Sequence, residues 1–150
     1  MADGNEDLSG ELARLRAEPA LVGAFVEELL RLDGPVQMLF RTTRVPVELH
    51  GTTIPAGATV ELYWGAANRD ERQFDDPDAL VLGRPELQHL GFGHGVHFCM
   101  GAHLARLEAR VAFEELLAAS GSLALVPERP LEIKPGWSIR GYRTATVRVG

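Results

Sequence analysis

The chain has 150 residues, 45% of them hydrophobic, and a formal net charge of -6. This length suits one domain with a core rather than two, and an acidic chain without a run of Lys and Arg is not expected to bind nucleic acid. The longest nearly uninterrupted apolar run, residues 20–26, falls far short of the roughly 20 residues that cross a bilayer, and no signal pattern precedes it.

These observations favour a cytoplasmic protein that makes no membrane contact. A single cysteine cannot form an internal disulfide, which agrees with a reducing compartment. Residues 1–8 are acidic with little to bury, so we expect a frayed N-terminus followed by one domain over residues 9–150.

Two helices are predicted first. Ser9 is a candidate N-cap for a short helix over residues 10–16. Pro19 suits the first turn of a second helix that ends near Arg31, before a turn at residues 33–35.

The pattern then changes to that of β-strands over residues 36–64. Apolar residues alternate with polar ones, and turns are expected at residues 50–51 and 55–57, which predicts a small antiparallel meander. The alternating positions are Val45, Val47 and Leu49, then Val60, Leu62 and Trp64.

The second half of the chain begins with an irregular stretch over residues 68–90, and a loop of that length is usually functional or organised by something it wraps. Helical periodicity predicts a helix over residues 102–119. Two or three short strands are expected after it, around Pro135-Gly136 and Gly141.

Residues 92–101 place the only cysteine in a glycine-rich loop that leads into that helix. Gly93, Gly95 and Gly101 allow backbone angles and close approaches that a side chain would forbid, so the loop can lie flat against a planar partner such as a porphyrin. At a helix N-terminus, Cys99 is expected to be a thiolate, the form that binds metal, and we favour iron.

Two other interpretations of Cys99 compete with iron. It could be a buried apolar cysteine, although such a residue requires neither three flanking glycines nor a helix start. His94, His97, Cys99 and His103 could together bind zinc, although structural zinc usually takes ligand pairs from separated elements and these four crowd one loop and one helical turn.

The loop resembles the haem-binding loop of the cytochrome P450 monooxygenases, in the form used by soluble bacterial members. The shared positions are Phe92, Gly93, Gly95, His97, Cys99 and Gly101. Residues 28–31 resemble the family's Glu-x-x-Arg helix, and residues 65–70 and 74–78 resemble the approach to its meander. The resemblance covers nearly the whole chain but only about the C-terminal third of a typical member. It implies an α+β fold, mainly helical with small antiparallel sheets, that forms the proximal haem-binding half.

The resemblance also implies a cofactor, haem b, with Cys99 as the metal ligand. Phe92 would pack beside the sulfur, backbone donors at residues 100–102 would point at it, and His97 and Arg41 would hold the haem propionates. The full set of implied cofactor contacts is Arg41, Phe92, Gly93, His97, Cys99, Met100, Gly101 and Ala102.

Glu28 and Arg31 lie at i and i+3 of the second predicted helix. In the family this pair belongs to a buried network completed by an arginine two residues after the meander proline. That position is Ala79 here, so we expect an incomplete network, with Arg84 as the nearest substitute.

The function implied by the resemblance is oxygen-dependent monooxygenation of a small organic substrate, with electrons from a ferredoxin-like or flavoprotein donor. No catalytic residue is identified, because the family's long distal helix has no counterpart in the chain. The alternative is a truncated, non-catalytic haem-binding protein, or a module that needs a second chain to supply the distal half. Arg106 and Arg110 are candidates for docking an acidic electron donor, although exposed helix arginines are usually solubilising.

Overall fold

The computed structural model describes residues 9–85 and 87–150, so the predicted frayed segment lies outside the described residues. The first helix, α1, spans Ser9–Ala17. A single 3-10 turn, Pro19–Leu21, precedes α2, which spans Val22–Asp33. Both predicted helices are therefore present, and Pro19 begins the 3-10 turn rather than the α-helix itself.

The β region contains two separate antiparallel pairs. Strand β1, Met38–Thr42, pairs with β4, Thr59–Tyr63, and β2, Val47–Leu49, pairs with β3, Thr52–Ile54. The predicted meander is wrong in its pairing, because the β2–β3 hairpin is inserted between two strands that pair with each other.

Local turn chemistry explains this arrangement. His50 and Gly51 both have positive φ, 47° and 76°, as a tight two-residue hairpin turn requires. At the base of the insertion the Thr43 hydroxyl donates to the Pro55 carbonyl at 2.6 Å and accepts from the Ala58 amide at 3.0 Å. Trp64 does not extend β4 but begins a one-turn helix, α3, Trp64–Ala67.

The second half is irregular up to a 3-10 turn, Gly95–His97, and then forms α4, Ala102–Ala119, with the predicted bounds. Four short strands follow it. β5, Leu123–Leu125, pairs with β8, Val147–Val149, and β6, Glu132–Ile133, pairs with β7, Tyr142–Thr144. The fold is α+β with small antiparallel sheets, as expected.

The core lies where α1 and α2 pack against α4, and its buried side chains are Leu15, Val22, Phe25, Val26 and Leu117. The Phe25 and Phe113 rings meet edge to face, with centroids 5.1 Å apart. This packing fixes α2 beside α4 and sets the position of the loop that precedes α4. Within residues 9–85 and 87–150, no helix is long and apolar enough to cross a membrane.

Candidate functional site

The loop before α4 folds back on itself. The Gly93 amide donates to the Leu90 carbonyl at 2.8 Å, and the Cys99 amide donates to the Phe92 carbonyl at 2.9 Å. Gly93 has φ of 74°, and a Cβ there would lie 3.2 Å from the Trp64 ring, so a side chain would be both strained and crowded. The fold thus brings the backbones of Phe92 and Cys99 together.

Gly95 and Gly101 differ from Gly93. Gly95 has φ of 65° and open space where a Cβ would lie, so only its backbone angle favours glycine. Gly101 is the N-cap of α4 with φ of -85°, and a Cβ there would make ordinary contact with the Cys99 sulfur at 3.9 Å. The expectation of a special backbone angle is therefore wrong for Gly101, whereas its close approach to a planar partner stays a prediction.

Cys99 itself is exposed and lies just before the start of α4. The Ala102 amide donates to the Cys99 carbonyl at 3.2 Å, so it is directed at this oxygen rather than at the sulfur. The amides of Met100 and Gly101 have no acceptor among the described residues, and the first amides of a helix favour a nearby anion.

The surface around the sulfur suits a flat apolar group. Val96 is 98% exposed, Met100 is fully exposed and about half of Phe98 is open to solvent, which is unusual for large apolar side chains placed in one loop. A single cysteine thiolate is one of the side-chain ligands that hold haem iron. In the part of the chain that the structure describes, no three His, Cys, Asp or Glu side chains are placed to hold a metal ion.

Arg41 and His97 lie apart in the sequence and show no hydrogen bond to each other. Arg41 is on β1 opposite Val60, and its guanidinium donates only to the Phe40 carbonyl, at 2.7 Å. His97 ends the 3-10 turn and is exposed. Neither side chain has a carboxylate partner among the described residues, so both are available to an external anion.

Glu28 and Arg31 form a fully buried ion pair on α2. Arg31 donates to both carboxylate oxygens, at 2.8 and 2.9 Å, and neither side chain is exposed. Arg84 donates to Glu28 at 3.1 Å, and so does the Val81 amide. We call Glu28, Arg31 and Arg84 the Glu28 network.

The expectation of an incomplete network is wrong, but Arg84, the nearest substitute indicated by the sequence, does contact Glu28. Arg84 reaches Glu28 from the segment that follows Ala79, and among the described residues no buried side-chain nitrogen or oxygen lacks a partner. Burial raises the pKa of Glu28, but the hydrogen bonds from Arg31, Val81 and Arg84 outweigh it and hold the pKa below its ordinary value.

Asn68 extends this network toward the loop, a role that sequence reasoning missed. Arg31 donates to the Asn68 carbonyl at 2.8 Å and to the Pro77 carbonyl at 2.6 Å. The buried Asn68 side chain accepts from the Leu90 amide at 2.7 Å. Its position in the stretch 65–70 that resembles the family was the available signal.

A second polar set was also missed. Arg106 on α4 donates to both carboxylate oxygens of Glu27, at 2.6 and 2.9 Å, and the His89 Nε2 lies 3.0 Å from the same carboxylate. We call Glu27, His89 and Arg106 the Glu27 cluster. Arg106 is therefore paired within the chain rather than a free solubilising cation.

The Glu27 carboxylate and the Arg106 guanidinium carry opposite charges and stabilise each other. Burial raises the pKa of Glu27, but hydrogen bonds from Arg106 and His89 outweigh it and leave the pKa below its ordinary value. The same Glu27 carboxylate raises the pKa of Arg106. Both partners are therefore favoured in their charged forms.

Comparison with known proteins agrees with this geometry. The sequence profile described as Cytochrome P450 matches residues 14–121, so the chain belongs to the cytochrome P450 family. Cytochrome P450 monooxygenase PikC of Streptomyces venezuelae is 45% identical over 140 residues, which are 92% of this chain and 34% of PikC. Cytochrome P450 CYP199A2 of Rhodopseudomonas palustris is 40% identical over 139 residues, 93% of this chain and 33% of that protein.

Solved structures show the same fold. CYP109E1 from Bacillus megaterium in complex with testosterone superposes with a TM-score of 0.90 at 34% identity, covering 93% of this chain and 39% of that one. P450BioI in complex with ligated acyl carrier protein gives 0.90 at 39% identity, covering 94% and 36%. The chain thus spans about a third of the length of the curated relatives, 34% and 33%.

Proposed function

We propose that the chain binds haem b through the Cys99 sulfur and forms the proximal half of a haem-thiolate monooxygenase. The observation that carries the proposal is an exposed sulfur before an 18-residue helix, on a loop closed by the Cys99 amide and the Phe92 carbonyl, in a chain of the cytochrome P450 family. A thiolate-ligated haem supplies oxygen activation for insertion into C–H bonds.

Different residues of the chain have different roles in binding haem. Gly93 keeps the loop close to Trp64. Once haem covers the exposed Cys99, Phe92 would help to keep water away from the sulfur. The amides of Met100 and Gly101 stabilise its negative charge. Arg41 and His97, which lack carboxylate partners in the described residues, hold the propionates by charge-assisted bonds.

Monooxygenation also requires a substrate and an electron donor. We propose a small organic substrate, a ferredoxin-like or flavoprotein electron donor and a cytoplasmic location. No group in the described residues is assigned to proton delivery at the oxygen side.

A second candidate function is a non-catalytic haem-binding protein, or a module completed by a second chain. It is favoured by an apolar row on α4, where Leu104, Leu107 and Val111 are exposed although they repeat at helical spacing. Large apolar side chains in such a row normally lie against another segment.

Haem reconstitution of the purified chain tests the proposal. The reduced, carbon monoxide-treated protein should show the red-shifted absorption band of a thiolate-ligated haem, with iron and no zinc by metal analysis. Cys99→Ser should abolish the band, whereas His94→Ala, in the same loop, should keep it. Stoichiometric zinc without iron, or an unchanged spectrum in Cys99→Ser, would refute the proposal.

Turnover separates the two candidate functions. Supplied with electrons and oxygen, a non-catalytic module should release reduced oxygen species and give little hydroxylated product, because a pocket must exclude water and deliver protons in order. Product formation tightly coupled to electron consumption by the 150-residue chain alone would contradict the second candidate function.

A further inference from the structure

The Glu27 cluster contacts the ring of Phe92, in the loop that holds Cys99. The Arg106 guanidinium carbon lies 4.5 Å from the Phe92 ring centroid, and the His89 ring centroid lies 6.1 Å from it. The guanidinium is therefore held on two sides, by the Glu27 carboxylate along its edge and by the Phe92 ring at its face.

The same residues determine the backbone on each side of Phe92. His89 Nδ1 accepts from the Gly91 amide at 2.9 Å, so the proton of a neutral ring is on Nε2 and is donated to Glu27. The Phe92 carbonyl accepts the Cys99 amide at 2.9 Å. A continuous series of contacts thus leads from Glu27 on α2 to the backbone of Cys99.

Three parts of the chain meet in this series. Glu27 comes from α2, His89 from the segment before the loop and Arg106 from α4. The His89 side chain is only 3% exposed, and the Glu27 and Arg106 side chains are 28% and 33% exposed. Packing in the core fixes α2 and α4, so the loop is attached to a rigid frame.

We propose that Glu27, His89 and Arg106 are positioning residues that hold Phe92, and through it the Cys99 amide, in the geometry that the metal-binding sulfur needs. The inference rests on the proposed function and names residues that set its geometry. The fork of hydrogen bonds to Glu27 requires the planar guanidinium, which a lysine ammonium cannot reproduce.

Amide hydrogen exchange in the full 150-residue chain without haem tests this inference directly. In Arg106→Leu the amides of Cys99 and Gly93 should exchange about tenfold faster, while the amide of Val111 in the middle of α4 keeps its protection. Arg106→Lys, which retains the charge but not the fork, should give a smaller increase at the same two amides.

The matched control is Arg110→Leu. Arg110 is one turn further along α4 and pairs with Glu114 at 3.6 Å, with both side chains about half exposed, so its loss should leave the loop amides unchanged. Unchanged exchange at Cys99 in both Arg106 variants would overturn the inference. An equal increase at every amide, including Val111, would also overturn it, because the cluster would then act on global stability alone.

A spectroscopic measurement on the haem-loaded chain separates this inference from the proposed function. Arg106→Leu should lower the fraction of the carbon monoxide complex in the red-shifted band, whereas Arg110→Leu should not. If the unmodified chain shows no such band, the proposed function fails, and the exchange measurement still decides whether the cluster positions the loop. If the band is present and Arg106→Leu leaves its fraction unchanged, the positioning role is wrong.

Discussion

Glu27 and Glu28 are neighbours on α2, yet they belong to two different polar sets. Glu28 is fully buried and is held by Arg31 and Arg84, whereas Glu27 is 28% exposed and is held by Arg106 and His89. Consecutive helix residues point about 100° apart, so adjacent carboxylates reach different parts of the molecule.

The two sets connect α2 to different segments. The Glu28 network binds the carbonyls of Asn68, Pro77 and Ala79 and so organises the irregular stretch before the loop. The Glu27 cluster binds α4 and the ring of Phe92. We infer from this comparison that the buried Glu28 network mainly determines the stability of the fold. The Glu27 cluster, because it lies against Phe92, mainly determines the local geometry at Cys99.

The most disruptive test of this comparison is Glu28→Gln. The change leaves the Arg31 charge buried without a compensating carboxylate, which should cost about 3–5 kcal/mol of unfolding free energy. Urea denaturation measures the loss. Glu114→Gln, which removes an exposed i, i+4 pair on α4, is the control and should change stability by less than about 0.5 kcal/mol. Equal effects of the two substitutions would contradict the ranking by burial.

Asn68→Ala should have the next largest effect. It removes the side-chain oxygen that accepts the Leu90 amide hydrogen. A buried donor left without an acceptor costs about 1–3 kcal/mol of unfolding free energy. Denaturation gives the loss of stability, and exchange at the Leu90 amide gives its location. Protection of that amide equal to that in the unmodified chain would show that another acceptor replaces Asn68.

The pH dependence of stability sharpens the comparison. The pKa values of Glu27 and Glu28 both lie below the ordinary value of 4.5, so the folded state binds protons less readily than the unfolded state. Their stabilising contribution is complete above that value and is lost as the pH falls through the folded-state pKa.

We therefore expect the urea midpoint to fall on acidification from about pH 6 to about pH 3, and to fall less steeply in Glu27→Gln. The unfolding midpoint across this range is the measurement. The same slope in both proteins would mean that Glu27 titrates alike in the folded and unfolded states.

Local patterns made part of this structure predictable. The bounds of α4 follow from periodicity within the helix, and the Cys99 loop was recognisable from glycines close together in the sequence. The β1–β4 pairing could not be predicted from the sequence, because alternation of apolar and polar residues predicts strands without indicating which strands pair. The Glu27 cluster could not be predicted either, since His89 and Arg106 lie 62 and 79 residues from Glu27 in the sequence.

The Glu28 network shows a further limit of sequence reasoning. The missing arginine at Ala79 suggested an incomplete network, because the family pattern assigns the third member to one position, although Arg84 was identified as the nearest substitute. The chain reaches Glu28 from Arg84 instead, while Ala79 contributes its carbonyl to Arg31 at 3.0 Å. A partner can therefore be supplied from a neighbouring position of an irregular segment whose path the sequence does not specify.

The smallest expected effect follows from this substitution of partners. Ala79 is exposed and Glu28 already accepts from Arg31, Arg84 and the Val81 amide, so Ala79→Arg should change stability by less than about 0.5 kcal/mol. Arg84→Ala should make the protein sensitive to an arginine at position 79, because it leaves Glu28 with one fewer charged donor. In that background Ala79→Arg should recover part of the lost unfolding free energy if its guanidinium reaches the vacated side of the carboxylate. A rise of more than about 1 kcal/mol from Ala79→Arg alone would instead mean that Arg84 does not satisfy Glu28 in solution.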